Sequence, residues 1–234
     1  MHQLNNNRNG FTLIELMLSM TFVSFLLIAI ALLTIQISNI YTKGVTLRQV
    51  NEAGLEVTAD LQRAIQSSDA FEVPLVGNNE SVVKQDTGGR LCLGTYSYAW
   101  NLGRYFDQDV SRLSNKFNND NQTLADTPIR LVKVSDANKS LCQADNSSYP
   151  DIPTDSHTVE LLAVGDRDLA VQDLSISGSK DRGLYSIEIT LGTNNQSTII
   201  DDTCKPPRDA EGAEDYCAVN KFDIVARTAN KAGQ

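Results

Sequence analysis

Apolar and polar positions fall into three regimes along the chain. Residues 11–37, FTLIELMLSMTFVSFLLIAIALLTIQI, are apolar on every face, with Glu15 as the single charge. About 20 such residues span a bilayer as a helix, so 11–37 are expected to be a transmembrane segment. Beyond Ile37 the pattern changes. Leu47, Val50, Gly54, Val57, Leu61 and Ile65 recur every three or four positions, while Arg48, Gln49, Glu52, Glu56, Asp60 and Arg63 fall largely elsewhere. That is one apolar stripe on an amphipathic helix, expected over 38–68. The first proline is Pro74, and no glycine lies between Phe11 and Gly44. The two segments therefore read as one continuous helix, about 85 Å long from Phe11 to Ser67 at the usual rise. Thr12, Ser19, Thr21, Ser24 and Thr34 can bond back to carbonyls a turn earlier, so they do not break it.

From Phe71 the period shortens to two. Tyr185, Ile187, Ile189 and Leu191 alternate with Ser186, Glu188 and Thr190, and Phe222, Ile224 and Ala226 alternate with Asp223, Val225 and Arg227. Further strands are expected at 91–100, 129–134, 158–164 and 169–176, with polar loops at 115–122 and 135–155. Strands without long helices between them imply an antiparallel sheet. The expected fold class is α+β: a long N-terminal helix, half membrane and half amphipathic, packed on an antiparallel sheet domain spanning 69–234. About 160 residues suffice for a real core.

Composition narrows the partners. A net charge of −9 over 234 residues argues against nucleic acid, which needs clustered Lys and Arg. The four cysteines, Cys92, Cys142, Cys204 and Cys217, are widely spaced and none forms a CxxC pair. In a chain that enters a membrane N-terminus first, this points to two disulfides outside the cytoplasm. Three connectivities exist. Cys92–Cys142 with Cys204–Cys217 is favoured, because the second pair closes a short polar loop holding Pro206, Pro207 and Gly212.

Residues 1–10, MHQLNNNRNG, carry one Arg and no acid. A basic leader holds the N-terminus in the cytoplasm. A secretory signal would be cleaved beyond its apolar block, beside small residues, yet nothing like A-x-A follows Ile37. The leader ends instead in Gly10, whose bare backbone can lie close against a protease. Glu15 is costly at membrane depth and calls for a partner. The run to Thr34 offers no Lys, Arg or His, so the α-amine of Phe11, once freed, is the obvious candidate.

Gly10-Phe11-Thr12-Leu13-Ile14-Glu15 closely resembles the processing motif of type IV prepilins and type II secretion pseudopilins. The resemblance implies that prepilin peptidase cleaves between Gly10 and Phe11 and that the new Phe11 amine is methylated. It also implies that Glu15 pairs with the amine of a neighbouring subunit during assembly. Many filament-forming pilins carry a helix-breaking Pro or Gly in the apolar block; this chain has none. The segment ELLAVGDRDLAVQDLSI at 160–176, the strands at 184–191 and 218–227, and the stem end at 60–65 resemble W-class minor pilins and J-type pseudopilins more diffusely.

The functional expectation is a minor pilin-like structural subunit of a type IV pilus. Its implied partners are the peptidase, other pilins met through the N-terminal helix, an inner-membrane assembly platform and the membrane itself. The implied location is a single-pass cytoplasmic membrane protein with an extracytoplasmic domain, later part of an extracellular pilus. The rival expectations are a pseudopilin of a type II secretion system, or a pilus-mounted adhesion or ligand-binding module with loop 135–155 as the place to look. Catalysis is not expected, since the only histidines are His2 and His157 and no nucleophile motif surrounds either. No cofactor or metal is expected. The oxygen-rich stretches 118–121, 166–168 and 201–202 lack the alternate ligands, central Gly and closing Glu of a calcium loop, and read as solvated turns. Five Asn-x-Ser/Thr triplets, at Asn79, Asn121, Asn138, Asn146 and Asn195, mark exposed loops.

Overall fold

The computed structural model describes residues 12–118, 126–162, 168–195, 197–200, 202–206 and 217–229. The chain divides into two compact units, Met1–Thr42 and Lys43–Gln234. One helix, α1 (Leu13–Ser67), contributes to both. The fold is α+β, as the change of period predicts.

Within the first unit the helix carries its large apolar side chains at the surface, from Leu13 (76% exposed) to Tyr41 (72%). By length and composition this stretch can cross a membrane. Four of its hydroxyls are satisfied by backbone carbonyls of the same helix. Ser19 donates to the Leu16 carbonyl at 2.9 Å, Thr21 to Leu18 at 2.8 Å, Ser24 to Met20 at 2.8 Å and Thr34 to Ile30 at 2.8 Å. A hydrocarbon surround therefore meets these four hydroxyls already paired.

In the second unit the helix buries Thr46, Val50, Gly54, Val57, Leu61, Ala64 and Ile65. These match the expected stripe except at Leu47, which is 45% exposed, while its neighbour Thr46 turns inward. Gly54 is needed for close approach. A Cβ built there would lie 2.1 Å from the Phe222 ring.

Two antiparallel sheets meet this stripe, and the unit also holds a small two-stranded ribbon. The first sheet is a five-stranded meander in sequential order: β1 (Val82–Gln85), β2 (Gly88–Cys92), β3 (Tyr96–Asn101), β4 (Leu131–Ser135) and β5 (Thr158–Leu162). The second has the order β10-β7-β6, from β6 (Leu169–Ser179), β7 (Leu184–Thr193) and β10 (Val219–Arg227); β8 (Ile199–Ile200) pairs with β9 (Thr203–Cys204). The expected strand at 91–100 is a correction. It is two strands, β2 and β3, turning at Gly94, whose φ of 92° favours glycine. The two strands within 160–176 also lie in different sheets, β5 against β4 and β6 against β7.

The main core joins Val57, Leu61 and Ile65 of the helix to Leu91, Tyr98 and Leu131 of the first sheet and Ile187, Ile189 and Ile224 of the second. Each fully buried Leu or Ile contributes about 1.5–3 kcal/mol relative to exposure. One ion pair crosses the helix–sheet boundary. Lys133 Nζ lies 2.8 Å from Asp60 Oδ1, and the Tyr98 hydroxyl donates to Asp60 Oδ2 at 2.8 Å. Lys133 also sits over the Tyr96 ring, 4.0 Å from its centroid. Burial, reinforced by the bond to Asp60, pushes the Tyr98 phenol well above its ordinary range.

The other face of the five-stranded sheet carries a second core, into which the expected loops at 115–122 and 135–155 send apolar side chains. Val83, Cys92, Ala99, Val132 and Val134 pack against Phe117, Leu141, Cys142 and Ile152 from those loops. At its centre Arg90 is 1% exposed. It donates to Asn115 Oδ1 at 2.6 Å and to the carbonyls of Leu141 (2.7 Å) and Pro150 (2.8 Å). Burial lowers its pKa to about 10. Asp136 ties the loop down from the other end, accepting from Ser97 Oγ (2.7 Å), Ser140 N (2.8 Å) and Leu141 N (3.1 Å). Burial raises the Asp136 carboxyl, but these bonds outweigh it and hold the group below its ordinary value.

Candidate functional site

The head of α1 is built by four residues, Thr12-Leu13-Ile14-Glu15. Thr12 stands just ahead of the helix and Glu15 in its first turn. The Thr12 N–H and hydroxyl both donate to Glu15 Oε2, each at 2.9 Å, and the Glu15 N–H points back to Thr12 Oγ1 at 3.4 Å. This is a reciprocal capping box. It satisfies donors that the first turn otherwise leaves orphaned, and it sets a carboxylate where the helix dipole favours negative charge. The Thr-x-x-Glu spacing was its signal in the sequence.

Both bonds converge on one oxygen, Oε2. Glu15 Oε1 has no donor among the described residues, and residues 12–42 contain no Lys, Arg or His. Beside it on the same helix surface lie Leu18, Ser19, Thr21, Phe22 and Phe25, a shallow apolar face. The site therefore offers one preorganised carboxylate oxygen at the edge of an uncovered apolar surface. A single cation would complete it.

No known family, curated protein or solved structure matches this chain. The architecture is nevertheless type IV pilin-like. One long apolar N-terminal helix and an antiparallel sheet are its two defining parts, and both are present.

Gly10 and Phe11, the expected cleavage and methylation positions, lie outside the described residues, as do His2, Asn121, Asp166 and Asp201. The cysteines pair as Cys92–Cys142 and Cys204–Cys217, the connectivity favoured on loop length. His157 is a loop residue, 65% exposed at its side chain and 3.2 Å from Asp155. Among the described residues no group of His, Cys, Asp and Glu could hold a metal ion. Of the glycosylation triplets, Asn79 is engaged as an acceptor from Ser81 N and Val82 N. Asn146 sits at a turn with φ 48°.

Proposed function

We propose that this chain is a minor pilin-like structural subunit of a type IV pilus, released by prepilin peptidase at Gly10–Phe11 and assembled through its N-terminal helix. The observation that carries the reading is the Glu15 carboxylate. It is fixed by Thr12 through one oxygen, meets no Lys, Arg or His within residues 12–42, and adjoins an apolar surface that no described residue covers.

Cleavage at Gly10–Phe11 creates an ammonium at Phe11. On its own chain, Glu15 is already held by the cap at Thr12. The ammonium of a neighbouring subunit can reach the remaining oxygen only at one axial offset. In hydrocarbon a mismatched charge is costly, so the pair acts as a register check while apolar packing supplies the attraction. Before assembly the same helix rests in the cytoplasmic membrane, with the sheet domain outside. The absence of Pro and of internal Gly up to Gly44 supports a helix that stays intact on assembly.

Glu15→Val tests this. The variant is expected to insert in membranes at wild-type levels, because an apolar residue replaces a charge, and to be missing from sheared filaments. Normal recovery of the variant in filaments contradicts the pairing role.

A further inference from the structure

The sheet of β10, β7 and β6 ends in two edges, and they are not alike. Thr193 N donates to the Ala218 carbonyl at 3.0 Å and Thr228 N to Gly183 at 2.9 Å. In an antiparallel ladder successive residues bond to opposite sides, so the odd-numbered residues of β7 bond β10 and the even-numbered ones bond β6. Thr190, Glu188 and Ser186 thus exchange bonds with Asp173, Ser175 and Ser177. The N–H and C=O groups of Leu174, Ile176 and Gly178 point the other way, and no described residue bonds them.

Native sheets guard their edges with charge, short strands, bulges or covering groups. The other edges here are guarded. Exposed Lys221, Asp223 and Arg227 run along β10. The five-residue β5 carries exposed Glu160 and meets a register shift in β4. On β1 the N–H groups of Val82 and Lys84 are taken by the side chains of Asn79 and Asn78, each at 2.8 Å. Residues 174–179 of β6, LSISGS, have no charge and no proline.

The chain itself starts along this edge. Leu102 pairs in parallel with Val171, and the backbone then leaves in a 3₁₀ turn at Gly103–Tyr105. Beyond Leu102, Leu174 and Ile176 line an apolar groove of about 300 Å³, whose other wall is Val82, Lys84 and Trp100. That wall leaves no room for a sheet behind an occupant bonded to β6, so the groove suits a lone extended segment and not the sheet edge of a second copy. Unpaired main-chain groups in a row recognise extended backbone, and the pockets beside them select its side chains. Exposed Asp173 flanks the groove on the β6 side.

We infer that β6 receives an extended segment of a partner protein as an added strand along Leu174–Gly178. Alternate apolar side chains of that segment enter the groove beside Trp100, and a basic residue lies next to Asp173. This contact is separate from the filament reading above and needs neither cleavage nor Glu15.

The test uses the purified full-length chain in detergent. The probe is an acetylated, amidated peptide in which valine and threonine alternate around one lysine. It is expected to slow amide hydrogen exchange several-fold at Leu174, Ile176 and Gly178, and to shift the emission of Trp100, the only tryptophan in the chain. N-methylating the valine amides of the peptide removes donors along one strand edge, and N-methylating its threonine amides removes those along the other. One form is expected to lose binding and the other to keep it. Asp173→Lys is expected to weaken binding several-fold, and glutamate in place of the peptide lysine to restore it. A peptide that leaves the three amides unprotected overturns the proposal. So do methylated forms that bind alike, or binding indifferent to both charge changes. Protection that rises with the concentration of the chain alone gives the edge to a second copy and overturns it too.

Discussion

The two halves of α1 share one backbone and solve opposite problems. Residues 43–67 put Val50, Val57, Leu61 and Ile65 into a core that their own chain completes, each at 0–1% exposure. Residues 13–42 carry more than twice as many large apolar side chains as 43–67 and bury none of them against the described residues. The polar groups differ in the same sense. Asp60, in the second half, finds Lys133 and Tyr98 across the helix–sheet boundary. Glu15, in the first, finds only Thr12 among the described residues. The second half is thus a finished structural element. The first is left uncovered by the described residues and is long and apolar enough to cross a membrane; on the function proposed above, lipid or another subunit covers it.

The contrast can be broken at several points. The largest effect is expected at the disulfides, which belong to the second unit alone. Replacing Cys92 and Cys142, 50 residues apart, by Ala should cost about 4 kcal/mol by loop entropy, against about 3 for Cys204 and Cys217 at a separation of 13. Denaturant unfolding of the two double variants reads the difference, and membrane insertion of the helix should be unchanged in both.

Paired truncations sharpen the comparison next. Leu61→Ala removes a side chain that is 1% exposed and should cost about 2–5 kcal/mol in the melt of the sheet domain. Leu27→Ala, at a position 61% exposed, should leave that melt where it was. Equal shifts in the two would show that the halves are not energetically separate.

A smaller effect follows from Asp136. Its carboxyl is held below the unfolded value of about 3.9. The native state therefore binds fewer protons than the unfolded state in that window, and the stabilisation is fully present above it. It should fade as pH falls below about 3.9 through the native value, and Asp136→Asn should flatten this part of the pH profile in a thermal scan. An unchanged slope in the variant would assign the acid sensitivity elsewhere.

Much of the architecture was legible in the sequence, for reasons that vary by element. The buried stripe of α1 and the alternation of β7 are periodic signals, and both period and face survive in the fold. Leu47 sits on the stripe by spacing yet stays 45% exposed, while its neighbour Thr46 is fully buried. The turn between β2 and β3 is hidden inside an apolar run, and only Gly94 betrays it. The second core was not legible, because Leu141, Cys142 and Ile152 are too sparse to show a period, and the burial of Arg90 depends on carbonyls that are distant in sequence. The candidate site was half legible. Glu15 stands out as a lone charge, but reading it only as a charge at membrane depth conceals the capping box that Thr12 completes. That box holds one carboxylate oxygen of Glu15 against Thr12.

The central claim is that cleavage after Gly10 creates the cation that Glu15 lacks. Mass spectrometry of the N-terminal peptide of the protein recovered from membranes tests it most directly. The account predicts a chain that begins at Phe11 and carries a methylated amine. A chain that still begins at Met1, or one cut beyond Ile37, contradicts it.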